Sequence, residues 1–113
     1  MTNCLFCNII NGDIPSNLIY EDEKVIAFED INPQAPVHYL VIPREHIQSM
    51  AHINEDNKEL LGHILIVASK IAKDKKLDSG YRIVNNCGKD GGQTVDHLHF
   101  HILGERTLLW PPG

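Results

Sequence analysis

Seven residues near the end of the chain, HLHFHIL at positions 97–103, alternate histidine with apolar side chains. Successive side chains of a β-strand point to opposite faces, so this alternation predicts a strand over about residues 97–103. Leu98, Phe100 and Ile102 would then pack on the core, and three imidazoles would share the other face. Three consecutive histidines are a poor choice for a face that meets only solvent. We therefore expect the histidine face of the strand to line a polar site.

The three histidines could form one metal site, but the geometry of a strand argues against it. At about 3.3 Å per residue, the backbones of His97 and His101 lie roughly 13 Å apart. Neighbouring pairs can converge on one ligand more readily than all three can. We expect the three histidines to divide between different roles.

A glycine-rich segment, NCGKDGGQT at positions 86–94, comes just before these histidines. Backbone N–H groups in such a loop can turn toward an anion, and the Thr94 hydroxyl can add a donor. Taken alone, the segment would be interpreted as an ordinary turn between strands. Its position next to the histidines favours a phosphate-binding loop.

The rest of the chain predicts an α+β fold. The predicted elements are a short helix over 4–11, a hairpin of strands at 18–20 and 25–28, a strand at 37–42, a helix over about 54–76 and a strand at about 81–86. For the long helix, Asn54 is the expected N-cap, and apolar residues recur at helical spacing from Leu60 to Ala72. Strands outnumber helices and most connections are short, which indicates an antiparallel sheet.

Length and composition indicate one domain over residues 1–113. The chain is 42% hydrophobic, and a domain of this size buries about two-thirds of its unfolded surface. A net charge of −5 and scattered basic residues argue against binding along a nucleic-acid backbone, although one nucleotide needs only a local site. Neither a membrane span nor a secretory leader is recognisable, so we expect a cytoplasmic protein that does not contact membranes.

Two of the three cysteines form the motif Cys4-x-x-Cys7. An odd number of cysteines does not suit a secreted disulfide framework. In a reducing compartment the motif indicates a metal site or a redox-active pair, and two incidental buried thiols are a further alternative. Cys87, beside the glycine-rich segment, is interpreted as a packing residue.

Three segments of the chain carry a resemblance to a known family. GGQTVDHLHFHILG at 91–104 resembles the signature of the histidine triad (HIT) superfamily. FEDINPQAPVHYLVIP at 28–43 and WPPG at 110–113 are similar to its Hint branch, the purine nucleoside phosphoramidases. The resemblance covers essentially the whole chain. It implies a HIT-like α+β fold, with an antiparallel sheet, one long helix and a short N-terminal helix, and a homodimer.

The resemblance implies hydrolysis of purine nucleoside 5′-phosphoramidates or related AMP or GMP conjugates through a covalent nucleotidyl-histidine. His99 would attack phosphorus, His101 would bond or protonate the leaving group, and His38 would support the nucleophile. The implied substrate-binding residues are Asn86, Gly92 and Thr94 for the phosphate, Asp30 for the ribose hydroxyls, and Phe6, Ile9, Phe28 and Ile31 for the purine. Judged without the resemblance, these four apolar residues would be core residues. For His38, the alternative is a purely structural histidine.

The resemblance further suggests that His46 and His97 join Cys4 and Cys7 in a Cys2His2 zinc site. Such a site would be structural, and catalysis would need no cofactor. Two other functions remain open. One is a dinucleoside polyphosphate hydrolase of the neighbouring branch, against which the WPPG ending argues, and the other is a non-catalytic adaptor that binds nucleotides or proteins.

Overall fold

A computed structural model describes all 113 residues and contains a five-stranded antiparallel sheet. Its elements in chain order are α1 (Leu5–Ile10), β1 (Leu18–Glu21), β2 (Val25–Glu29), β3 (Val37–Pro43), α2 (Lys58–Asp74), β4 (Tyr81–Val84) and β5 (Phe100–Gly104). The strands lie in the order β1-β2-β3-β5-β4, and every neighbouring pair is antiparallel. The α+β fold expected from the sequence is confirmed. None of the helices combines the length and the hydrophobicity that crossing a bilayer requires.

Strand β3 is central, and all seven of its residues are buried because both faces of the sheet are covered. Alternate residues face opposite sides. Val37, Tyr39 and Val41 pack in the cluster that includes the buried side of α2. Leu40 and Ile42 pack on the other side with Phe6 of α1. Full burial of each such aliphatic side chain stabilises the fold by about 1.5–3 kcal/mol.

The long helix starts later than the sequence pattern suggests. Asn54 does act as a cap, but it caps a single 3-10 turn, Glu55–Asn57: its side chain accepts from the Asp56 N–H, and the Asn57 side chain accepts from the Asn54 N–H. The α-helix follows from Lys58 to Asp74 and buries an apolar stripe, made up of Ile64, Val67, Ala68, Ile71 and Ala72. The reciprocal cap satisfies N–H groups that the first turn of a helix leaves without partners.

The expected strand over 97–103 is shorter than the alternation suggests. Strand β5 begins only at Phe100, which pairs with Val41 of β3. His97 lies in a bend before the strand, and the Leu98 N–H donates to the Ile47 carbonyl rather than to a strand. Leu98 still belongs to the same buried cluster as Phe100 and Ile102, so the apolar side was predicted correctly. The three histidines, however, do not lie along one straight strand, because the chain turns at His97.

Candidate active site

The candidate site lies on the side of the sheet that α1 covers. His101 on β5 stands opposite Leu40 of β3. Phe6 of α1 contacts the ring of His99 edge-on, with ring centroids 5.1 Å apart. Between these elements is a cavity of about 220 Å³. Its lining includes most of the site residues expected from the sequence, namely Phe6, Ile9, Phe28, Asp30, Ile31, Thr94, His99 and His101.

His99 is held in one tautomer by the main chain. It is 3% exposed, and its Nδ1 lies 2.7 Å from the carbonyl oxygen of His97. A carbonyl oxygen only accepts, so Nδ1 carries the proton and the neutral ring keeps its lone pair on Nε2. That nitrogen makes no hydrogen bond within the chain. His99 therefore presents an unprotonated nitrogen, which is the form of imidazole that can act as a nucleophile.

His38 and His101 form a second pair of imidazoles whose protons are also fixed. The Gln34 N–H donates to Nδ1 of His38 at 2.9 Å, so neutral His38 carries its proton on Nε2. That Nε2–H donates to Nδ1 of His101 at 2.8 Å. Neutral His101 must then carry its proton on Nε2, a buried atom with no hydrogen-bond partner. A buried donor without a partner is rare in folded proteins and is expected where a ligand completes the bond.

Burial sets the charge state of these two histidines. Burial lowers the pKa of His38, and the negative charge of Asp30 opposes the shift. For His101, burial lowers the pKa to about 4, helped by the electrostatic influence of the neighbouring His99 and His38 and opposed by Asp30. Asp30 is close to the pair, with Oδ2 at 3.4 Å from Nε2 of His38. At neutral pH, His101 is therefore a neutral donor rather than an imidazolium.

Two residues expected to hold the phosphate do not line this cavity: Asn86 and Gly92. Asn85, the neighbour of Asn86, instead donates from Nδ2 to the His99 carbonyl at 2.9 Å and so holds the backbone of His99. Gln93 anchors the glycine-rich segment, because its side-chain amide donates to the carbonyls of Gln48 and Val95. The phosphate roles of Asn86 and Gly92 stay predictions.

The cavity also has walls that the sequence did not indicate, which are Leu5, Ile14, Pro15, Ser16, Glu29, Leu40 and Val95. The period-two pattern of β3 could have identified Leu40, because it lies on the same face as His38. Ile14, Pro15 and Ser16 belong to an irregular connection between α1 and β1. No local pattern marks such a segment as part of a cavity.

Cys4, Cys7, His46 and His97 come together at the start of α1, with all four ligand atoms within 4.8 Å of one another. Cys4 is the N-cap of the helix, and one helical turn brings Cys7 beside it. The Cys7 sulfur is 3.3 Å from Nδ1 of His46 and 3.6 Å from Nδ1 of His97. Cys4 Sγ is 3.4 Å from the His97 nitrogen, and the two imidazole nitrogens are 3.2 Å apart.

These distances fit a tetrahedral zinc site. With Zn–S bonds of about 2.3 Å and Zn–N bonds of about 2.0 Å, such a site places S and N ligands roughly 3.5 Å apart and two N ligands roughly 3.3 Å apart. His97 Nε2–H donates to the Pro43 carbonyl at 2.9 Å, which leaves a lone pair on Nδ1. Burial, the hydrogen bond with Cys4 and the charge of Cys4 raise the pKa of Cys7 to about 11. Without a nearby cation, this thiol stays protonated at neutral pH.

Comparisons with known proteins agree with this architecture. The family model described as "Scavenger mRNA decapping enzyme C-term binding" matches residues 3–108. A HIT-like protein of Synechococcus elongatus is 49% identical over 109 residues, which cover 96% of each chain.

Two solved structures are also similar. A HIT family hydrolase from Legionella pneumophila Philadelphia 1 has 50% identity and a TM-score of 0.97, with 98% of this chain and 100% of that chain covered. A histidine triad protein from Clostridium difficile has 49% identity and a TM-score of 0.93, with 96% of each chain covered. The chain therefore belongs to the family that this model describes, within the histidine triad (HIT) superfamily.

Proposed function

We propose that this HIT protein hydrolyses purine nucleoside 5′-phosphoramidates or related nucleotidyl conjugates through a covalent intermediate on His99. The observation that carries the proposal is the tautomer of His99: the His97 carbonyl holds the Nδ1 proton, and Nε2 keeps its lone pair beside the cavity. The similarity to a HIT family hydrolase supports the hydrolytic part. The branch assignment, and with it the P–N bond, rests on the resemblance of the 28–43 and 110–113 segments.

The walls of the cavity suit a nucleoside. Phe6 and Phe28 lie edge to face with ring centroids 5.6 Å apart and form an apolar wall for a base. Ile31 is 98% exposed, and a base bound beside it would cover part of its surface. Asp30 accepts the Asn32 N–H at 2.8 Å on Oδ1, and its carboxylate keeps lone pairs for a ribose diol.

The proposed reaction proceeds in two displacements at phosphorus. First, a bond forms between Nε2 of His99 and phosphorus, the bond to the leaving nitrogen breaks, and the amine takes up a proton. The unpaired Nε2–H of His101 is the buried donor available to that nitrogen. Water then attacks phosphorus, the bond between phosphorus and Nε2 of His99 breaks, and its electron pair returns to that nitrogen as the lone pair. The proton that the water loses balances the proton taken up by the amine.

Trapping the intermediate tests this proposal. Denaturing mass spectrometry after mixing with an aminoalkyl AMP amide should show an AMP adduct on His99. H99A should show no adduct and should lose at least about a thousandfold in kcat/KM. H52A is the matched control, because His52 is an exposed histidine outside the cavity. Faster turnover of a diadenosine polyphosphate would instead indicate the neighbouring activity, and binding without turnover would indicate an adaptor.

We also propose that Cys4, Cys7, His46 and His97 hold one structural zinc ion per chain. The support is the donor set and its near-tetrahedral spacing. Elemental analysis of protein prepared with zinc should find about one equivalent. C7S should lose it, whereas C87S should keep it, because Cys87 lies outside the cluster. Zinc retained at full stoichiometry by C7S would contradict the assignment.

A homodimer is the assembly we propose. Strand β4 is at the edge of the sheet, so one side of its backbone has no strand partner. Tyr81 and Ile83 on β4 are exposed, as is Ile66 of α2 at 57%. Pairing of two copies along β4 would satisfy the open edge. Light scattering should give a mass of two chains, and a monomeric mass at micromolar concentration would exclude this assembly.

A further inference from the structure

The guanidinium of Arg106 connects the chain after β5 to the loop between β2 and β3. Arg106 is exposed, and its Nε donates to the Gln34 carbonyl at 2.9 Å. Its Nη1 donates to the Thr107 carbonyl at 3.1 Å, which holds the guanidinium close to its own backbone. The side chain therefore acts as a clamp between two distant segments of the sequence.

Gln34 carries the N–H group that fixes the tautomer of His38. Within its loop, the Gln34 side chain donates to the Asn32 carbonyl, and the Asn32 N–H donates to Asp30. These contacts are all local. For the loop residues 31–35, the Arg106 bond is the one hydrogen bond that comes from a distant part of the chain. Sheet pairing fixes the two ends of the loop, and the Arg106 bond adds the contact that holds the Gln34 peptide itself.

We propose that Arg106 is a positioning residue for the catalytic histidines. By holding the Gln34 carbonyl, it keeps the Gln34 N–H on Nδ1 of His38. His38 then keeps its proton on Nε2 and donates to Nδ1 of His101, so that the His101 proton stays on Nε2, without a partner in the chain.

When the clamp is removed, the alternative arrangement becomes accessible. His38 with its proton on Nδ1 would accept at Nε2, and His101 would donate to it from Nδ1. The Nε2 of His101 would then be an acceptor and could not donate to a leaving nitrogen. The role of Arg106 in turnover rests on the proposed function, whereas its effect on the tautomers does not.

The tautomers can be read directly in the free protein. Long-range ¹H–¹⁵N spectra of ¹⁵N-histidine protein at pH 7 should show the Nε2–H tautomer for His38 and His101. R106Q should show a mixture, and R106K, which keeps a donor, should restore part of the original pattern. R82Q is the matched control, because Arg82 is an arginine that donates to the tail at Leu109 and does not touch the loop. An unchanged pattern in R106Q, or an equal change in R82Q, would overturn the proposal.

Steady-state kinetics separates positioning from direct substrate binding. Loss of one net hydrogen bond predicts a drop in kcat of about 3- to 10-fold in R106Q, with KM changed much less. A rise in KM with kcat unchanged would mean that the guanidinium binds the substrate itself, and would overturn the positioning role. If the wild type failed to cleave phosphoramidates, the proposed function would fail, yet the tautomer comparison would still decide the role of Arg106.

Discussion

The carbonyl oxygen of His97 lies 2.7 Å from Nδ1 of His99, and the imidazole of the same His97 belongs to the Cys–His cluster. One residue thus serves two groups: its backbone orients the candidate nucleophile, and its side chain lies among the candidate zinc ligands. The bend at His97 makes this possible, since a straight strand would place both imidazoles on one face. A change in the Cys–His cluster should therefore alter the orientation of the His99 imidazole.

The first prediction concerns this link. C7S, or removal of metal by a chelator, should lower Tm by roughly 5–15 °C, because the N-terminal segment loses its attachment to the bend. It should also lower kcat, because the His97 backbone is less firmly placed. C87S should change neither quantity. Calorimetry and steady-state kinetics on the same samples measure both effects, and a fall in kcat with Tm unchanged would contradict a structural role for the cluster.

A second prediction follows from the lowered pKa of the partly buried His101. Its pKa is about 4 in the folded protein and 6.5 without the fold's influence. Between these values the unfolded chain binds more protons, so His101 contributes stability above pH 6.5 that is lost as the pH falls toward 4. H101Q removes this titration. From pH 7 to pH 4.5, the wild type should lose more unfolding free energy than H101Q in urea titrations. Parallel losses in the two proteins would show that His101 is not the group responsible.

Local periodicity accounts for the part of the site that the sequence could predict. The period of two placed Leu98, Phe100 and Ile102 on the core side, because alternation is a property of one strand alone. The start of β5 was predicted wrongly at His97. The strand starts where its pairing with β3 begins, at Phe100 opposite Val41. Pairing between distant segments cannot be inferred from the alternation within one segment.

The residues that sequence reasoning missed act through backbone groups brought in from elsewhere. Asn85 holds the His99 carbonyl, and the Gln34 N–H holds His38. Neither contact depends on a characteristic residue type at a fixed spacing. Gln34 contributes a main-chain donor that almost any residue could supply. Such partners become visible only when the loops are placed in space.

A third prediction concerns Asp22, which joins the β1–β2 turn to α2. Its carboxylate accepts from Tyr20 and His63 at 2.7 Å each, and from the N–H groups of Lys24 and Val25. Burial raises the pKa of Asp22, but the hydrogen bonds outweigh it and hold the pKa well below its usual value. The contribution to stability is therefore present above about pH 3.8 and is lost as the pH falls below it.

D22N should destabilise the fold by about 1–3 kcal/mol at pH 7, because an amide cannot accept all four hydrogen bonds. E23Q is the control, a neighbouring carboxylate that is exposed and makes no hydrogen bond. Urea unfolding at pH 7 measures both. Equal stability of D22N and wild type would mean that the carboxylate is replaceable at this turn. The catalytic constants should stay unchanged in both variants, since neither residue lines the cavity.

A final prediction separates two glycines by their surroundings. A Cβ on Gly91 would overlap the Cys87 carbonyl oxygen and approach Cys87 N to 2.7 Å, and backbone atoms cannot move aside as a flexible side chain can. G91A should therefore shift the loop that leads to Thr94 and lower kcat/KM.

Gly62 lies in α2, and no atom lies within 4 Å of the position that a Cβ would take. G62A should instead stabilise the helix by about 0.5–1 kcal/mol, with activity unchanged. Calorimetry and kinetics on the two variants check this contrast, and a G91A protein with wild-type kcat/KM would show that the loop does not shape the cavity.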